Sequence, residues 1–477
     1  MIPEDVAFLP IREIARHLAA RDFTAVELVE LYLERIARLN ETAKAFITVT
    51  DATARERAAR IDRGVADGAT PAPLAGIPFA VKDLIDVAGV KTTAGSRVLA
   101  DNVAQGNAFL VDRMLDAGAV VLGKANLHEF AYGATGENSV YGTAVNAYDP
   151  GRLAGGSSSG PAAAVAFGLV PAAFGTDTGG STRAPAALCG LVGLKPTIGR
   201  ISTSGVIPYC WSLDHIGLIA RSVGDAALLL QTVAGHDPQD PGCAGEPNGD
   251  YTSRLDDGVS GLRVGVPHGF YFEHCDEEIL AAAQAVLAHL EDLGATVVAV
   301  DLPSMEHART VSLTLQMPEA LSYHTRYLAE RGALYGDDLR AGLALGQCLL
   351  AEHYVRARRM LTRYREETSD VLRKVDVIVT PATPTVAPPV GSTSVTTAGK
   401  TEAVGNAITR YTTFFNMSGH PAVTVPSGLH STGLPMGVQV VGRNFDEATL
   451  LRVAAAIEAG DRFRVRPPRL DHCPRPG

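Results

Sequence analysis

The sequence predicts an α/β protein built on a large sheet, and three observations predict it. Short β-branched runs alternate with helical stretches in both halves of the chain, and glycine and proline punctuate them at short intervals. The chain is also long enough, at 477 residues, to bury a core of enzyme size.

Taken in order, the first element is a helix. Thr24 and Glu27 form a capping box ahead of Leu28, Val29, Tyr32, Leu33 and Ile36, and the helical spacing runs out at Asn40. A Gly/Pro/Ala-rich turn over 68–78 then delivers GIPFAVKD. Here Phe79 and Val81 alternate with Ala80 and Lys82, a strand pattern that turns Lys82 to the opposite face. Residues 107–117 read as a helix stopped by Gly118, and AVVLGK reads as a buried strand. LRVGV, the helical EEILAAAQAVLAHLEDLG and TVVAV repeat the alternation, and VDVIVT, PAVTVP and MGVQVV add further strands. Residues 305–374 are rich in Leu, Ala, Arg and Glu and predict helix, whereas 381–400 (PATPTVAPPVGSTSVTTAGK) predicts a loop. No charge run, repeat or linker demands a cut, so 1–477 is read as a single domain.

Composition narrows the function classes. Hydrophobic residues make up 46% and charged residues 20%, the balance of a folded protein and not of a disordered one. A formal charge of −10 opposes nucleic-acid or anionic-membrane binding, because both partners require a basic footprint. The N-terminus has no apolar targeting core and nowhere do 18 apolar residues run together, so the expected location is the cytoplasm. The six cysteines lie far apart without C-x-x-C, which reads as reduced, mostly structural thiols. The 13 histidines include no H-E-x-x-H and no i, i+4 pair, so neither a metal nor any other cofactor is expected.

The densest chemistry lies in GGSSSGPAAAVAFGLVPAAFGTDTGGSTR, residues 155–183. Two small-residue loops flank a helix that Pro161 can begin, and the apolar LVPAAF leads to the second loop. In that loop Thr178, Gly179, Gly180 and Ser181 set consecutive backbone N–H donors beside a hydroxyl, which is what acyl transfer needs of a nucleophile and its oxyanion hole. Ser158 satisfies the G-x-S-x-G pattern of a nucleophile elbow between Gly156 and Gly160. That elbow requires a strand immediately before it, and VNAYDPGRLAGG is loop chemistry; it also requires a histidine base. Lysine can serve as the base where burial disfavours its charge, and Lys82 on its apolar strand is the candidate. Read alone, Lys82 is equally a paired or snorkelling lysine.

Lys82 in PFAVKD, GGSS at 155–158 and GTDTGGSTR at 175–183 together resemble the amidase signature family. NLHEFAYGATGENSVYGTAVN, CGLVGLKPTIGRIS, SLDHIG and NMSGHPAVTVPSG…GLPMGVQVVG, in that order, extend the likeness over most of the chain. The resemblance implies a large central twisted mixed sheet flanked by helices on both faces. It implies Ser181 as the acylated nucleophile, Ser157 as a bridging serine preceded by a cis peptide bond, and Lys82 as the base. Ser158, Asp177 and Arg183 then fasten the two loops, with an ordinary surface ion pair as the other reading of Arg183. The chain departs from the usual GGSSGG form at Ser159, with Pro161 following, and this leaves any role of Ser159 open.

The implied activity is hydrolysis of an aryl or acyl amide, or of a carbamate, as a small-molecule substrate, by a monomer or homodimer that needs no cofactor. Residues 305–374, Tyr132, Tyr209 and Trp211 are candidates for the substrate pocket, and the three aromatics equally suit core packing. Two other readings stand beside it. One is the glutaminase component of a tRNA-dependent amidotransferase, in which a glutamine commonly follows the motif arginine where this chain has Ala184. The other is a catalytically silent binding or scaffold protein of the same fold. An unrelated α/β-hydrolase using Ser158 would depend on an essential histidine.

Overall fold

The computed structural model describes residues 2–466 and Leu470. Thirteen strands occur among them: β1 (Phe46–Val49), β2 (Pro78–Lys82), β3 (Val120–Ala125), β4 (Ala172–Thr176), β5 (Val192–Lys195), β6 (Ile216–Ala220), β7 (Arg263–Pro267), β8 (Thr296–Val300), β9 (Val377–Pro381), β10 (Ser394–Thr397), β11 (Lys400–Ala403), β12 (Ala422–Leu429) and β13 (Pro435–Gly442). Eleven form one sheet in the order β1-β3-β2-β4-β6-β5-β12-β13-β9-β7-β8. The sheet is mixed: β3-β2-β4 and β8-β7-β9 run parallel, and antiparallel pairs join them through the centre. The fold is therefore α/β with a central mixed sheet, and helices cover it.

The local reasons are legible. The first predicted helix forms at Ala25–Ala43, and its capping box is made: Thr24 Oγ1 accepts from Glu27 N at 3.1 Å while Thr24 N donates to Glu27 Oε2 at 2.8 Å. It runs past Asn40 because Ala43 continues the buried face, and Asn40 instead pairs with Phe46 at the start of β1. Strands β2 and β4 are buried along their whole lengths, so no solvent face is left for Lys82 to reach. The helix Ser159–Ala166, reading SGPAAAVA, packs against β2, β3, β4 and β6 with all eight residues buried. Its small side chains permit that approach.

Two expectations need correction. The predicted loop at 381–400 contains β10, paired with β11 as a hairpin. Ala398 and Gly399 between them both have positive φ, the geometry of a two-residue turn whose twist suits a hairpin. The second correction concerns β1, β5 and β6, which are not foreseen as strands; β5 and β6 are short runs interrupted by glycine, with no clean alternation to mark them. The segment 305–374 is helical as expected, in the helices Ala308–Arg331, Asp337–Gln347 and Ala351–Leu372. Of the cysteines, Cys189, Cys210, Cys243 and Cys275 are buried and free, Cys348 is exposed, and Cys473 lies outside the described residues. No helix among the described residues is long and apolar enough to cross a membrane.

Candidate active site

The parallel pairing of β2 with β4 builds the site. Phe79, Ala80 and Val81 lie opposite Ala172, Ala173 and Phe174, so both strands end at the same level and present Lys82 beside Thr176. Open α/β sheets place ligands beyond such carboxyl ends. Lys82 Nζ lies 2.7 Å from Ser157 Oγ and 2.7 Å from Thr176 Oγ1. Lys82 and Ser157 are fully buried, and the Gly156–Ser157 peptide is cis.

Burial is the largest influence on Lys82 and pushes its pKa down to about 7, against the opposing pull of Asp214 and Asp177. Hydroxyls, not carboxylates, are its hydrogen-bond partners. A substantial neutral fraction at ordinary pH follows, and a neutral amine has a lone pair with which to accept a proton.

Ser181 is the least enclosed of the three residues the resemblance singles out, at 8% exposure. Its hydroxyl makes no hydrogen bond among the described residues, while its carbonyl accepts from Ser158 N at 3.2 Å. Ser158 is otherwise spent on β4: its Oγ donates to Thr176 O at 3.1 Å and accepts from Thr176 N at 3.3 Å. This serine staples the two loops together, a poor posture for an elbow nucleophile. Nor does a histidine ring serve these serines. His128 and His215 approach the loops through their backbone N–H groups, but the His128 ring meets Asp338 and the His215 ring meets the Leu213 carbonyl. Ser159 Oγ makes a long bond of 3.4 Å to Gly136 O.

The loop 177–182 is held from below by a buried ion pair. Arg183 Nε and Nη2 bond Asp177 Oδ2 and Oδ1 at 3.0 and 2.9 Å, and the remaining donors reach Thr412 O, Gln439 Oε1 and Asn416 Oδ1. Both side chains are fully buried, so the surface-pair reading of Arg183 is discarded. Burial raises the Asp177 pKa, but Arg183, Lys195 and Asn416 outweigh it and hold the carboxyl well below its usual range. Asp177 Oδ1 also accepts from Gly180 N at 2.8 Å. That bond corrects the expectation of four free oxyanion donors: the Gly180 N–H is occupied, while the N–H groups of Thr178, Gly179 and Ser181 have no acceptor among the described residues. Gly180 has φ of 121°, and a Cβ there would come within 1.9 Å of Thr412 Oγ1, so only glycine fits. The loop is pinned again at Thr178, whose Oγ1 donates to Asp214 Oδ1 at 2.6 Å. Burial lifts the Asp214 carboxyl to about 6 despite that bond and two from the Tyr209 and Cys210 N–H groups.

Of the pocket candidates, Tyr132 and Tyr209 meet edge to face with ring centres 6.0 Å apart. Tyr209 OH donates to Gln316 Oε1 at 3.0 Å, and a Cβ added to Gly179 would lie 3.6 Å from Gln316 Nε2. The helix Ala308–Arg331 thus faces the oxyanion loop, which places part of the segment 305–374 at the site. Trp211 is 55% exposed; it shares a small cavity with Tyr209, Thr176 and Asp214, and also lines a second cavity with Arg358 and Arg365. Core packing is therefore excluded for Trp211, and the nearly buried Tyr209 has its hydroxyl bonded to Gln316. Sequence reasoning missed Thr176, Asp214, Gln316, Asn416 and Gln439. Thr176 carried a signal, since it directly precedes Asp177 at a strand end; Gln316 sits in a plain helical stretch and carried none.

Comparison with known proteins agrees with this geometry. A family model described as Amidase matches residues 27–451. The chain is 41% identical to the amidase-type component of the glutamyl-tRNA(Gln) amidotransferase of Chloroflexus aurantiacus, over 95% of this chain and 96% of that protein. It is 40% identical to an amidase of Pseudomonas putida, over 97% of this chain and 98% of that one. The crystal structure of the peptide amidase of Stenotrophomonas maltophilia superposes with a TM-score of 0.87 at 33% identity, covering 98% of this chain and 100% of that chain.

Proposed function

The chain belongs to the amidase signature family of hydrolases acting on C–N amide bonds, and from that premise we propose that it cleaves a small-molecule aryl or acyl amide, or a carbamate, through an acyl-enzyme on Ser181. The observation that carries this reading is the 2.7 Å approach of a fully buried Lys82 to Ser157 Oγ, with Ser181 on the adjoining loop.

Neutral Lys82 takes the proton of Ser157 as Ser157 takes that of Ser181, whose oxygen attacks the carbonyl carbon. The second N–H of the amine stays on Thr176 and fixes the direction of its lone pair. The N–H groups of Thr178, Gly179 and Ser181 hold the oxyanion, each worth about 3 kcal/mol in the transition state. Asp177, Arg183 and Asp214 keep those donors in place before substrate arrives. The proton returns through Ser157 to the leaving nitrogen, and the C–N bond breaks. Water then attacks the acyl-enzyme by the same relay, releasing the acid and restoring Ser181. The helical segment 305–374 and the Tyr132/Tyr209 pair form the substrate wall.

Labelling with a fluorophosphonate, followed by peptide mass spectrometry, tests the assignment. The expected adduct lies on Ser181, weakens strongly in Lys82→Ala and persists in Ser158→Ala. An adduct on Ser158 that ignores Lys82 would sink it.

A second reading has support in the amidotransferase relatives, which are as similar to this chain as the amidase is. It predicts glutaminase activity and co-purification with partner subunits. Glutamine left intact by a chain that hydrolyses anilides would set it aside.

A further inference from the structure

Arg309 stands on the helix Ala308–Arg331, seven residues before Gln316. Seven residues are almost two full turns, so the two side chains share a face and sit about 10 Å apart along the axis. That face is fixed on the site at its Gln316 end, where Gln316 bonds Tyr209 OH and Ser312 Oγ next to Gly179. At its other end the Arg309 guanidinium lies within electrostatic reach of both Tyr209 and Tyr132. Tyr132 is itself slotted against the helix Asp337–Gln347 at Gly342, where a Cβ would fall 1.8 Å from its hydroxyl. Arg309, Tyr132, Tyr209 and Gln316 thus form one continuous wall beside Gly179.

The carboxylates around this wall are all engaged elsewhere. Asp338 pairs with His128 at 2.8 Å, Asp214 accepts from Thr178 at 2.6 Å, and Glu319 accepts from Ser212 and from Tyr354 at 2.9 Å. Arg309 makes no hydrogen bond or ion pair among the described residues, and it is solvent-exposed. A guanidinium offers five donors in a fork that matches a carboxylate, and here it sits unneutralised over an aromatic wall. We propose that Arg309 reads the substrate: this wall selects amides that carry a carboxylate several bonds from the scissile carbonyl. The proposal rests on the amide-hydrolase reading and replaces the expectation of a neutral, hydrophobic substrate.

The test compares kcat/KM within two matched pairs. Adipoyl mono-p-nitroanilide against hexanoyl p-nitroanilide probes the acyl side, and N-benzoyl-4-aminobutyrate against N-benzoylbutylamine probes the amine side. The expected result is a preference of tenfold or more for the carboxylate in one pair, residing chiefly in KM and shrinking as salt rises. Arg309→Gln brings that ratio to about one, and Arg309→Glu turns it against the carboxylate. No preference in either pair, or an Arg309→Gln loss equal on both members, overturns the proposal. Ser181-dependent hydrolysis of all four compounds without preference would sink only this inference; no hydrolysis of any, with Ser181 unlabelled, would sink the amidase reading as well.

Discussion

Two lysines on neighbouring parallel strands, Lys82 on β2 and Lys124 on β3, are both fully buried, yet their surroundings differ in one respect. Lys124 faces the carboxylate of Asp83 at 2.8 Å and the Thr92 hydroxyl at 2.8 Å, whereas Lys82 faces the hydroxyls of Ser157 and Thr176. Burial pushes both pKa values down. At Lys124 the adjoining carboxylate opposes burial directly; at Lys82 the opposing carboxylates, Asp214 and Asp177, act without contact, and the amine settles at about 7. Burial by itself does not make a base. A buried lysine becomes one where hydroxyls, which can pass a proton, take the place of a carboxylate, which can only hold the charge.

The comparison breaks most sharply at Lys82→Met. Catalytic turnover is expected to fall by about 10³-fold, the scale of a lost general base, while stability in urea holds or rises because a costly buried amine has gone. An unchanged kcat/KM would remove Lys82 from the chemistry. Lys124→Met should do the reverse and lower unfolding free energy by about 3 to 5 kcal/mol, since Asp83 is left as an unpaired buried charge. Adding Asp83→Leu to that variant should recover most of the loss, and failure to do so would mean that the pair is not what matters there.

The pH dependence sharpens the same contrast. The limb of kcat/KM set by Lys82 should rise tenfold per unit below about pH 7 and level off above it. Stability follows the same group with a definite sign. The folded pKa of about 7 lies below the ordinary 10.5, so between those values the unfolded chain binds the extra proton and unfolding free energy climbs with pH. Subtracting the curve of Lys82→Met from that of the parent should isolate this climb; a flat difference would mean that Lys82 is charged in the folded protein. The smallest effect is expected from Thr176→Val, which removes one acceptor of the protonated amine. The limb should move to lower pH by about one unit while the plateau falls severalfold, and a limb that stayed put would show that Thr176 only packs.

Much of this site is written locally. GGSSSG and GTDTGGSTR mark their own loops, because glycine beside hydroxyls is a local requirement for backbone donors near a ligand, and PFAVK marks its own strand by alternation. The capping box at Thr24 and the helical character of 305–374 are equally local and were equally legible. What the sequence by itself determined, then, is the α/β class, the order of elements and the three residues on which the proposed chemistry turns.

The tertiary structure decided the partners. Lys82 meets Ser157 and Thr176 across 75 and 94 residues, and Arg183 meets Gln439 across 256; no periodicity carries such pairings. Only the folded backbone shows that Asp177 has already taken the Gly180 N–H, that Ser158 is tied to β4, and that Arg309 is left without a carboxylate. The physical reason is common to all three. A charge or a donor acts according to what fills the space within a few ångströms of it, and that is settled by which distant segments the sheet and its helices bring together.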